Sequence, residues 1–130
     1  MKGNARQMLQ KGNTKIIELP NYENILNKEF STSIKEYEEA KRHFINGEYD
    51  EVAAHCRIAI NPIKDGLGIL KEAINSDSEY NWLNKIVRST WDLTSKAHHP
   101  NTGSHFSRSD TLSILLVTVA IINLVGKRLS

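Results

Sequence analysis

Between Leu112 and Val125 the only polar side chains are Ser113, Thr118 and Asn123. At about 100° per residue these three fall on different sides of a helix. A helix that is apolar all round has to be covered all round. The stretch is shorter than the roughly 18–20 residues that span a bilayer, and it carries Asn123 inside it. It therefore predicts a buried core helix over 110–126 rather than a membrane segment, its second face wrapped by its own bundle or by another subunit. Ser107 and Asp110 stand at capping-box spacing before it. Gly126 reads as its stop, and Lys127 and Arg128 complement the dipole at its far end.

The rest of the chain supplies partners for that helix. Ser33-Ile34-Lys35-Glu36 has capping-box spacing, and Ile34, Tyr37, Ala40, Lys41 and Phe44 follow a helical stripe, predicting a first helix over 33–46. Gly47 closes it. Glu48-Tyr49-Asp50 opens a second helix in which Val52, Ala53, Cys56, Ala59, Ile60 and Ile63 share one face. Pro62 is expected to kink or end that helix, and Gly66-Leu67-Gly68 to loosen it further, with Leu67, Leu70 and Ile74 continuing an apolar stripe. Asn75-Ser76-Asp77-Ser78 forms the next cap. A third long helix runs from Glu79 to Lys96 with Leu83, Ile86, Val87, Thr90 and Trp91 inward. Trp82 and Trp91 fall on opposite flanks, which predicts one near the core and one near the surface.

Short turns between long helices predict an all-α, antiparallel four-helix (four to five) up-and-down bundle over 32–130. Residues 1–31 read differently. Lys15-Ile16-Ile17-Glu18-Leu19 resembles a short strand that Pro20-Asn21 breaks, so this part is expected to be an irregular N-terminal arm or the remnant of an upstream domain. The hairpin from Tyr37 to Pro62 resembles a single tetratricopeptide unit, with a turn glycine at Gly47, an aromatic at Tyr49 and a closing proline. A solenoid needs about three such repeats, and no second copy is present, so an ordinary helical hairpin is the expectation.

Composition narrows the function classes without choosing among them. A net charge of +2 is too small to force a nucleic-acid or membrane partner. The charge is uneven, since residues 29–60 carry seven acidic and four basic side chains while residues 96–130 carry four basic ones and only Asp110. A polyanion would favour the ends of the sequence over the first hairpin. The single cysteine, Cys56, cannot pair within the chain, and no apolar signal segment follows Met1, so a cytoplasmic location is expected, with Cys56 as a buried structural thiol. Arg57 is expected to cover the core with its stem and reach Glu36, Glu38 or Glu39 with its head.

Candidate chemistry gathers between the third and fourth predicted helices, in Ser95-Lys96-Ala97-His98-His99-Pro100-Asn101-Thr102-Gly103-Ser104-His105-Phe106-Ser107-Arg108. Imidazoles serve as base, acid or metal ligand near neutral pH, and arginine holds phosphate. Three readings stay open. His98 or His99 with His105 and a distant Asp92 or His55 would hold zinc, although no recognised short metal motif is present. A histidine with Arg88 or Arg108 would cleave RNA without metal. Alternatively the histidines cap a helix and decorate a polar turn.

Gly47-Glu48-Tyr49 leading into Cys56-Arg57, the helix ending in Ser95-Lys96-Ala97-His98-His99, and the apolar helix after Phe106-Ser107-Arg108-Ser109-Asp110 together resemble the HEPN-like helical domains of prokaryotes, over about 33–127. That resemblance implies a dimeric helical bundle associated with RNA cleavage or nucleotide handling in defence or regulation. It also implies an arginine four to six residues before a histidine at the end of the third helix. Here Arg88 precedes His98 by ten positions, about 15 Å along a helix axis, so one subunit cannot bring both to one phosphate. The expectation is a catalytically weak or inactive RNA- or nucleotide-associated domain. Its candidate catalytic residues are His98, His99, Arg88 and Arg108, and its anion-binding residues Lys96, His105 and Arg108. The rival expectation is a non-enzymatic dimerisation or protein-interaction module. Either way a homodimer through the 110–126 helix is expected, without membrane attachment, cofactor or metal.

Overall fold

A computed structural model describes residues 28–95 and 105–129, which fold as five helices with no strand among them. They are α1 (Lys28–Ile45), α2 (Tyr49–Asp65), the short α3 (Leu67–Ala73), α4 (Asp77–Thr94) and α5 (Arg108–Leu129). The predicted all-α bundle is thus present. The strand-like run at Lys15–Leu19 lies outside the described residues.

Helix α1 starts five residues earlier than the pattern predicts, because Phe30 is itself a core residue with no exposed surface. Ser33, read as a cap, lies inside the helix and is fully buried. Gly47 ends α1 as expected. Its φ of +76° lies in the left-handed region, and its N–H reaches back to the Phe44 carbonyl at 3.1 Å. All six residues predicted to face inward on α2 are buried.

Pro62 does not end α2, which runs on to Asp65. The proline removes the donor for the carbonyl of Ile58, but Ile58 is 43% exposed, so the orphaned carbonyl lies on the wet side of the helix. The break comes at Gly66, where a Cβ would stand 2.8 Å from Phe30 Cζ. The side-chain-free position lets the start of α1 close against the α2–α3 junction.

Ser76 caps α4, its Oγ accepting the Glu79 N–H at 3.2 Å. Ser107 and Asp110 form the reciprocal cap of α5: the Asp110 N–H donates to Ser107 Oγ at 3.0 Å, and the Ser107 N–H to Asp110 Oδ2 at 3.2 Å. Gly126 does not stop α5. It is buried inside the helix, and Arg128 fastens the last turn to Glu79 of α4 at 2.6 Å.

Helices α2 and α5 both touch each other and every other helix, whereas α1 and α4 flank them without meeting among the described residues. The bundle is therefore flattened about a short α2–α5 diagonal. Nine residues of α5 are buried, from Thr111 to Gly126. Thr118, which the sequence alone would make an awkward polar core residue, donates its hydroxyl to the Ile114 carbonyl at 2.7 Å. As formed, α5 has 22 residues and is long and apolar enough to cross a membrane by length and composition, longer than its uncharged stretch suggests.

Candidate functional site

The turn between α1 and α2 and the start of α5 lie at one end of the bundle. Lys96, His98 and His99 fall outside the described residues. His105 and Arg108 are described, and both lean on the α1–α2 hairpin. The Asp50 carboxylate accepts from His105 Nδ1 at 2.9 Å and from the Phe106 N–H at 3.0 Å. These two bonds, His105 first, hold the Asp50 carboxyl below the usual carboxylate range. The Arg108 guanidinium lies 5.1 Å from the centre of the Phe44 ring, which in turn meets Tyr49 at 5.9 Å.

Arg88 has a different setting. Its Nε donates to Asn84 Oδ1 at 2.8 Å, one turn back on α4. The structure thus brings His105 and Arg108 to one place, and that place is acidic: Asp50 faces the imidazole, and Asp110 closes the first turn of α5. A phosphate there would meet two carboxylates before it met the helix amides.

Arg57 does not reach Glu36, Glu38 or Glu39. It projects to the α4 side of α2, where its guanidinium lies 3.7 Å from the centre of the Trp91 ring, and Lys64 Nζ lies 4.7 Å from the same ring. Trp91 is accordingly half-buried under two cations, while Trp82 is 51% exposed. One step around α2, on the side of α1, Glu36 takes His55 instead, at 2.7 Å.

That bond belongs to a cluster that sequence reasoning missed. His43, from the last turn of α1, and His55, from the second turn of α2, stack with ring centres 4.7 Å apart and planes 19° from parallel. His43 Nδ1 lies 2.9 Å from Glu48 Oε1. Glu51 Oε2 lies 4.0 Å from His55 Nε2. The one signal in the sequence was Glu51 and His55 at i and i+4, which share a helix face; the third member comes from another helix and depends on the register of the hairpin.

The outer face of α5 is the other notable surface. Ser113, Leu116 and Ala120 are exposed, and Leu112, Val117 and Leu124 half-buried beside them. Comparison of the chain with protein-family models, with curated proteins and with solved structures finds no match.

Proposed function

We propose that the chain is a non-enzymatic helical module that pairs with a second copy of itself along α5. The observation that carries this reading is the stripe Ser113, Leu116, Ala120, which lies open to solvent on a helix with no charged side chain from Leu112 to Val125. Small residues at 113 and 120 permit close approach of a second helix, and Leu116 supplies a knob between them. Asp110 is the only acidic side chain of α5 and lies in its first turn, while Lys127 and Arg128 lie in its last. Two copies crossing antiparallel bring Asp110, which shares its turn with Arg108, towards the last turn of the other copy and oppose the two helix dipoles, an arrangement that a two-fold axis permits. The reading keeps the dimer that the HEPN resemblance implies. It sets the nuclease aside, because the described members of the catalytic set are Arg88, tied within α4, and Arg108, laid over Phe44 beside Asp50 and Asp110.

Light scattering across a concentration series tests it. The protein is expected to behave as a dimer, and Leu116→Lys as a monomer of unchanged helix content. A monomer at every concentration would remove the proposal. Retention or cleavage of a labelled RNA pool, measured on the same samples, would put the RNA- or nucleotide-associated reading in its place.

A further inference from the structure

We infer that His43, Glu51 and His55 form a binding site for a divalent ion of the zinc class, bridging α1 and α2. This rests on side chains remote from the α5 stripe and stands independently of the dimer.

The argument begins with the ring nitrogens. Carboxylates only accept, so Glu48 against His43 Nδ1 and Glu36 against His55 Nδ1 place the proton on Nδ1 of both rings. The lone pair of each neutral imidazole is then on Nε2. A carboxylate behind each histidine is the arrangement that orients imidazoles for a metal and raises their basicity. Both rings are only part exposed, His43 at 14% and His55 at 23%, whereas Glu51 is 59% exposed and can swing.

One donor atom from each of the three side chains already lies within 4.8 Å of the other two. A tetrahedral zinc with bonds of 2.0–2.2 Å sets its ligands about 3.4 Å apart. Closing that gap, at most about 1.4 Å, needs the two rings to tilt out of their stack and Glu51 to change rotamer. Two imidazoles and one carboxylate leave a fourth position for water on the exposed side, the ligand set of an open rather than a closed site. Nitrogen donors favour a first-row transition ion over magnesium or calcium. The surrounding charge also favours a cation. Glu36, Glu39, Glu48 and Glu51 all lie on this hairpin, and Arg42, 2.7 Å from Glu39, offsets only one of them.

The test is a calorimetric titration of zinc chloride into metal-stripped full-length protein, repeated with cobalt(II) to read coordination from its visible bands. One ion per chain is expected, with tetrahedral cobalt bands. His43→Ala and His55→Ala should abolish binding, and Glu51→Gln, exposed and harmless to folding, should weaken it at least tenfold. Glu48→Gln, which only orients His43, should weaken it by roughly tenfold. His98→Ala/His99→Ala should leave it unchanged. The inference is overturned by the absence of saturable binding, by full affinity in Glu51→Gln, or by loss of binding in the His98/His99 variant with retention in the His43 and His55 variants.

Discussion

At the scale of single residues, burial decides what each reactive group is able to do. Cys56 has no exposed surface, and burial pushes its thiol up to about 12, only partly offset by contact with Thr118. It is expected to stay silent towards a thiol reagent such as Ellman's in the native protein and to react at once in guanidinium. Ser33 is the opposite case. Its Oγ is buried with no partner among the described residues, and alanine is the better helix former, so Ser33→Ala should raise unfolding stability by about 1 kcal/mol in a urea titration. Asp50 gives the pH dependence. Its carboxyl is depressed in the fold, so its contribution is complete above the ordinary aspartate value of about 3.9 and is lost as pH falls through the lower native value. The Asp50 side chain is 44% exposed, so solvent screens the effect. The readable consequence is local: in acid the Phe106 amide should lose its shifted resonance and its protection from exchange, and Asp50→Asn should alter the same resonance already at neutral pH.

At the scale of the element, glycines divide by backbone and by space. Gly47 holds a left-handed φ of +76°, and a Cβ added there would meet nothing within 4 Å, so Gly47→Ala suffers only backbone strain, about 1 kcal/mol. Gly68 is helical and equally open, so Gly68→Ala should stabilise by roughly 0.5–1 kcal/mol. Thermal melts of the two variants should therefore move in opposite directions. What the sequence made legible follows the same division. The buried face of α2, the turn at Gly47 and the caps at Ser76 and Ser107 depend on neighbours a few residues away, and the pattern carries them. The early start of α1, the passage of α2 through Pro62 and the continuation of α5 through Gly126 depend on Phe30, on solvent at Ile58 and on Glu79, each supplied by tertiary placement. The candidate site divides likewise. Asp50 beside His105, Arg57 on Trp91, and His43 on His55 all join residues of different segments, and residue spacing within one segment does not report them.

At the scale of the whole molecule, the flattened bundle distributes its stability unequally. Helices α2 and α5 meet along the short diagonal and each also supports the flanking helices, so a cavity on that diagonal loosens every contact at once. Leu115 and Ile122 of α5 have no exposed surface, and truncating either to alanine should cost about 2–5 kcal/mol, the range for large core side chains. Trp82 is larger than either but lies 51% exposed on α4, and surface substitutions away from special features change stability by only about 0.5 kcal/mol either way. Size and hydrophobicity would rank Trp82→Ala as the worst of the three, whereas burial ranks it as the mildest. Urea unfolding of Leu115→Ala, Ile122→Ala and Trp82→Ala decides between the rankings. A single transition with an unchanged slope in each would show that α1 and α4, which do not touch, still unfold together because both are held by the same pair of helices.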